Sequence, residues 1–305
     1  MIRTRILIGL LLSVGMFAAG CKSAPVTGRK QMLLVPESQE LALGLTSFQE
    51  VTQKEPASEN AKYVELVNRV GKRIADVAER PDYQWEFRVV KSDTQNAFCL
   101  PGGKVAVYEG IIPVCATEAG LAVVMSHEVA HALARHGGER MSQNMAVDAG
   151  KQALSYLTST QAETRKAIID QAYGVGTKYG VLLPYSRQHE SEADHIGLML
   201  MSKAGYDPRE APRFWTRFGG VKKEGQSSEF MSTHPSDERR ARDLAGIVPE
   251  ALTFYEKAPQ KFGLGEPIDI PSAPAVAANP AAAVAAPAAN STLPANQFSQ
   301  PFFSR

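Results

Sequence analysis

Only three of the 305 residues are cysteine and two are tryptophan. So few cysteines exclude a disulfide-stapled scaffold and leave stability to an ordinary core. Charge of one sign is also missing: 33 basic residues stand against 32 acidic. That balance removes the electrostatic case for nucleic acid as a partner. Beyond the first 20 residues no apolar run is long enough for a transmembrane helix. No internal repeat is present, so a fused helical-repeat module is not expected. After about Pro267 large apolar side chains and charge nearly vanish, and Ala and Pro dominate up to Ala295. Such a segment cannot repay the entropy of ordering, and residues 267–305 are expected to form a disordered tail. Its end, with Phe298, Phe302 and Phe303, is either a sticky docking segment or nothing.

What is there is a folded domain, 44% hydrophobic and 21% charged over the whole chain, organised around residues 122–136, AVVMSHEVAHALARH. His127, Glu128 and His131 form H-E-x-x-H within helical apolar spacing. Residues four apart share a helix face, so His127 and His131 can aim two imidazoles at one ion, with Glu128 beside them. Zinc accepts neutral imidazole, and a hydrolytic site keeps one coordination position open for water. The pattern can arise by chance, but here Val123, Val124, Val129, Ala130, Ala132 and Leu133 make the helix apolar on most sides. Polar groups in a buried helix need partners, and a metal supplies one.

At the start, Arg3 and Arg5 precede an apolar run over residues 6–19, too short to span a membrane well. It ends in Ala18-Ala19-Gly20-Cys21, which resembles the lipobox of bacterial lipoproteins. That resemblance implies residues 1–20 as a signal peptide and cleavage before Cys21. It further implies acylation of Cys21, with Lys22 after it pointing to the outer membrane. Several acyl chains would anchor the chain durably. Without Arg3 and Arg5 the count is 31 basic against 32 acidic residues. Cys99 and Cys115 remain, as a disulfide or as two separate thiols.

Residues 21–36 read as a linker, punctuated by Pro25, Gly28 and Pro36. Helical spacing follows over 37–54 and, more clearly, over 60–80 through Tyr63, Val67, Val70, Ile74 and Val77. Trp85, Phe87 and Val89 alternate as a half-buried strand. Residues 96–100 and 104–109 flank Pro101-Gly102-Gly103 and predict a hairpin. The strand at 105–108 is either an edge that receives a peptide substrate or an internal strand. Residues 139–184 are helical by pattern with an interruption near 174–180, and suit either a cover over the cleft or core helices. Asp207-Pro208 starts a short helix through Phe214, Trp215 and Phe218. The catalytic domain is placed at 37–260.

A second helix over 186–203 carries Glu190 and Asp194 on one face. The physical reading is that Glu190 binds the metal while Asp194 accepts a hydrogen bond from a ligand imidazole and orients it. Glu192 falls on another face and is expected to be solvated. His189 and His195 compete as ligands on chemistry alone but lie off the Glu190 face. His136 drifts off the metal face and reads as structural.

H-E-x-x-H followed by S-R-x-x-E-x-x-A-D resembles the gluzincin family of the Ste-type CAAX prenyl proteases, HtpX, BepA and LoiP. Pro25-Val26-Thr27-Gly28-Arg29, Asn96-Ala97-Phe98, Pro101-Gly102-Gly103 and Thr233-His234-Pro235 are similar to its soluble branch of LoiP and the mitochondrial Oma protease. The resemblance covers about residues 24–250. It implies an α+β fold: a mainly helical zincin-type metalloprotease domain with a small antiparallel β-sheet. It implies one zinc ion per chain on His127, His131 and Glu190, with Glu128 as catalytic base. In that family the histidine matching His234 approaches the zinc, as an oxyanion donor or as an occupant of the open position that holds the enzyme latent. Arg240 matches the family arginine that orients this histidine or steadies the tetrahedral intermediate; Arg239 beside it is expected to be solvated, and Ser236 to cap the next helix. Cys99 departs from the aliphatic or small residue common there. With no membrane helices, prenylated CAAX substrates are not expected. The implied role is a lipid-anchored zinc metalloendopeptidase of the bacterial periplasm. Unfolded or misfolded envelope proteins would be its substrates, and outer-membrane assembly machinery a possible partner. The other reading is a zinc-containing chaperone or assembly factor that rarely cleaves.

Overall fold

The computed structural model describes residues 21–178, 182–220, 229–234 and 238–268. The signal segment 1–20, Ser236 and the tail beyond residue 268 lie outside them. Two strands, β1 (Cys21–Ser23) and β2 (Lys30–Met32), pair antiparallel. Helices α1 (Glu37–Lys54) and α2 (Ala61–Val77) follow. Strands β3 (Glu86–Val90), β4 (Ala97–Leu100) and β5 (Lys104–Tyr108) form a second sheet. Then come α3 (Ile112–Cys115), α4 (Glu118–Leu133), α5 (His136–Leu157) and α6 (Glu163–Thr177). The chain closes with α7 (Leu183–Lys203), α8 (Glu210–Gly220), α9 (Glu229–Thr233) and α10 (Glu238–Lys257). This is the mainly helical α+β architecture expected, with a small sheet.

One expectation is corrected and one open choice is decided. Residues 21–36, read as a linker, contain a hairpin: β1 and β2 turn at Gly28, whose φ of 67° favours glycine. The sheet order is β3-β5-β4, with β3 parallel and β4 antiparallel to β5. Strand β5 is therefore the buried central strand and cannot receive a peptide. The edge beside helix α4 is β4. The β4–β5 turn is the Pro101-Gly102-Gly103 hairpin, with φ of 90° and 80° at its glycines. Residues 263–268 also belong to the domain, through bridges to Thr117 and Tyr206.

Helix α4 starts where Thr117 Oγ1 accepts the Gly120 N–H at 3.1 Å, one of the end groups a helix cannot satisfy itself. Nearly every residue along it is buried, as its all-round apolar sequence requires. One face of α2, with Val67, Val70 and Ile74 fully buried, packs on it. Each such side chain contributes about 1.5–3 kcal/mol by leaving water. On another side lies α7. A Cβ at Gly197 would stand 3.0 Å from the His127 nitrogen, so glycine lets the two helices approach backbone to backbone. Among the described residues no helix is long and apolar enough to cross a membrane. Cys99 and Cys115 are free thiols rather than a disulfide.

Helix α4 is pinned at its start by a buried ion cluster. Glu118 accepts from Arg69 at 3.0 Å and from Arg73 at 2.7 Å, and from the Tyr206 hydroxyl at 2.9 Å. Burial pushes its carboxyl up, but Arg69 and Tyr206 outweigh this and hold it below the ordinary 4.5. A carboxylate with a depressed folded pKa contributes stability above its unfolded pKa and loses it as pH falls through the folded value. Glu118→Gln is therefore expected to lower stability by about 3 kcal/mol near neutral pH. In thermal melts that deficit should shrink steadily below about pH 4.5. A deficit independent of pH would rule out the ionic origin.

Candidate metal centre

The turn of α4 that carries His127 and His131 faces the turn of α7 that carries Glu190 and Asp194. His127 Nε2 and His131 Nε2 lie 3.1 Å apart. Glu190 Oε2 is 3.3 Å from the first, and Glu190 Oε1 is 3.4 Å from the second. His234, at the end of α9, brings Nδ1 to 2.9 Å from Glu190 Oε2 and 3.2 Å from His127 Nε2. These four residues offer ligand atoms within 4.8 Å of one another, the geometry of a group that could hold a metal ion. Helix α9 is fixed beside the sheet edge by the Phe230 N–H donating to Gln95 O at 3.0 Å.

Glu128 sits beside this group. Its Oε1 is buried and makes no hydrogen bond, although His234 Nε2 is 3.3 Å away. Burial raises its pKa, with the His234 and His127 charges opposing. Burial takes His131 well below the ordinary imidazole range. For His127, burial and Arg240 act downward, yet Asp194 and Glu190 carry it up to about 9. Burial pushes Glu190 up, and the imidazoles of His234 and His131 overcome it, holding the carboxyl well below its ordinary range. Imidazole nitrogens, a carboxylate and an orphaned buried oxygen converging on one point fit a divalent cation.

The surroundings fix ring orientation. Asp194 Oδ1 is 3.0 Å from His127 Nδ1, which leaves Nε2 to face the cluster. Arg240 donates to both Asp194 oxygens at 2.7 Å, lies 3.5 Å over the Trp215 ring and approaches Glu190 Oε2 at 3.4 Å. Arg239 next to it is exposed. His195 faces Glu250 instead, at 3.3 Å.

One reading of the sequence fails here. Glu192 is 5% exposed rather than solvated, and it bonds His136 Nε2 at 3.0 Å and Arg29 Nε at 2.8 Å. His136 lies off the metal face, as expected, but helical spacing misses its contact: Nδ1 is 2.9 Å from His131 Nδ1. The reason is a break between α4 and α5: Arg135 adopts φ 54°, so helical spacing no longer predicts where His136 points. His189 stacks on His136 at 4.3 Å and bonds Glu139 at 2.9 Å, so it is no rival ligand. Arg29, within the Pro-Val-Thr-Gly-Arg motif, was the available signal for this buried group.

Comparison with known proteins now decides the family. Residues 62–248 match Peptidase family M48. The chain belongs to that family. It is 42% identical over 191 residues to the mitochondrial metalloendopeptidase OMA1 of Schizosaccharomyces pombe, covering 62% of this chain and 54% of that protein. With OMA1 of Saccharomyces cerevisiae it shares 32% over 254 residues, covering 77% and 71%. With the beta-barrel assembly-enhancing protease of Escherichia coli it shares 24% over 267 residues, covering 82% and 52%. The M48 chain thus spans about half the length of the first and third of these relatives.

Asp194→Asn keeps the shape but loses the charge facing His127. Metal affinity, measured by equilibrium dialysis, is expected to fall about 10- to 100-fold. An unchanged affinity would mean that His127 needs no carboxylate to orient it.

Proposed function

We propose that this chain is a zinc-dependent metalloendopeptidase. The observation that carries the reading is the convergence of His127, His131 and Glu190 beside Glu128, whose buried Oε1 makes no hydrogen bond. Two imidazoles and a carboxylate match the three-ligand sets of catalytic zinc, which leave a fourth position open. Bound there, zinc would polarise a peptide carbonyl and lower the pKa of water towards about 7. The remaining work falls to the chain. Glu128 takes the proton of the attacking water and passes it to the leaving amine, a task suited to a carboxyl whose pKa burial has raised.

His234 Nε2 can donate to the negative charge that develops on the carbonyl oxygen, while Nδ1 faces Glu190. Arg240 acts as a positioning residue through Asp194, being 6% exposed and occupied by its partners. An extended substrate can pair with the free edge of β4, whose only sheet neighbour among the described residues is β5.

The residues before Cys21 support a lipid-anchored form at the outer membrane, facing the periplasm. The Escherichia coli relative is named for enhancing beta-barrel assembly, and that name supports a role in protein assembly; the substrates we propose are misfolded or stalled envelope chains. The mitochondrial relatives fit the same chemistry in another compartment.

The test is cleavage of an unfolded model protein by the zinc-loaded chain beside Glu128→Gln, with metal content measured in both. Cleavage by the wild type alone is expected, with a loss of at least about 100-fold in the variant and one zinc ion per chain in each. Zinc in both with cleavage in neither would contradict active proteolysis. It would favour the chaperone reading, or closure of the open position by His234, which His234→Ala would relieve.

A further inference from the structure

Next to the donor cluster lies a second buried polar group that hydrolysis does not use. Glu139, Glu192, His136 and His189 are each no more than 6% exposed. Leaving water costs such groups several kcal/mol each unless they are paired, and here all four are. Glu192 accepts from Thr27 Oγ1 and Arg29 Nε, the latter at 2.8 Å. Glu139 accepts from Arg29 NH1 and NH2 at 2.9 and 2.7 Å and from Gln31 Nε2 at 3.1 Å. One guanidinium, carried in by the turn of the β1–β2 hairpin, therefore clamps two carboxylates from α5 and α7.

We infer that Glu192 and His136 set the tautomer and orientation of His131, and that Arg29 locks this arrangement from the N-terminal hairpin. The inference rests on the metal centre proposed above. A neutral imidazole carries one N–H and one acceptor nitrogen. Glu192 Oε2, 3.0 Å from His136 Nε2, accepts the N–H there. His136 Nδ1 is then an acceptor. His131 Nδ1, 2.9 Å away, must donate to it. That leaves the lone pair of His131 on Nε2, the atom facing His127 and Glu190. Asp194 does the same for His127 directly; for His131 the carboxylate acts through one intervening imidazole. His189, stacked on His136 and held by Glu139, keeps the intervening ring from turning. His136, Glu192 and Arg29 are thus positioning residues, and the segment only eight positions after Cys21 becomes part of the support of the metal site. Lysine cannot replace Arg29, because a single ammonium lacks the planar fork that spans both carboxylates.

Two measurements on the full chain test this. The first is nitrogen-15 NMR of labelled histidines without metal. It is expected to show His131 as the Nδ1–H tautomer and His136 as the Nε2–H tautomer. The second is zinc affinity by competition with a chromophoric chelator, with thermal melts of the metal-free proteins as a folding control. His136→Leu should weaken zinc about 10- to 100-fold. His136→Asn, which keeps an acceptor close to Nδ1, should restore most of the loss, and Arg29→Lys should fall between them. His131 as the Nε2–H tautomer, or equal zinc affinity in variants that stay folded, would overturn the inference. Should His136→Leu not fold, the Asn and Lys variants and the wild-type spectrum decide. A wild type that binds no zinc would refute the metal centre itself, while the spectrum would still decide the tautomer.

Discussion

The approach of α4 and α7 at Gly197 is the constraint on which the rest depends. Without a side chain at that position the helices meet at backbone contact, and the two functional turns face each other across the gap. Two imidazoles from one helix and two carboxylates from the other then share one small space. A side chain there would crowd the His127 backbone at about 3.0 Å and force the helices to give way, disturbing donor atoms now 3.1–3.4 Å apart. The packing of α2 and the sheet on the other faces of α4 leaves that helix no room to retreat.

Such a crowd of polar atoms is held by two arms that reach it from opposite sides. One runs from Trp215 through Arg240 and Asp194 to His127. The other runs from the N-terminal hairpin through Arg29, Glu192 and His136 to His131. Each arm ends on the ring nitrogen turned away from the cluster, and each begins with an arginine whose charge is satisfied by buried carboxylates. The symmetry of purpose explains why segments more than 200 residues apart in sequence, Arg29 and Arg240, both bear on one site.

Most of the site was legible because it obeys helical periodicity. The spacing of four places His127 with His131 and Glu190 with Asp194, and the structure brings these faces together. The helices α1, α2, α4 and α7 followed from the same period, and the β4–β5 hairpin from its Pro-Gly-Gly turn. What escaped are features that periodicity cannot reach. His136 lies beyond a left-handed residue at Arg135, which resets the helical phase. Glu192 sits on a face that is solvent-directed in an isolated helix, and the β1–β2 hairpin and His136, both distant in sequence, meet it. Whether β5 was an edge or a centre depended on the parallel pairing of β3, a long-range contact with no local signature.

The measurement that bears most directly on the central claim is an anomalous difference map from crystals of the zinc-loaded protein. A single strong peak is expected between His127 Nε2, His131 Nε2 and the Glu190 carboxylate, with Glu128 close by but not ligating. A peak elsewhere, or a zinc site that includes Cys99 or lacks either histidine, would contradict it.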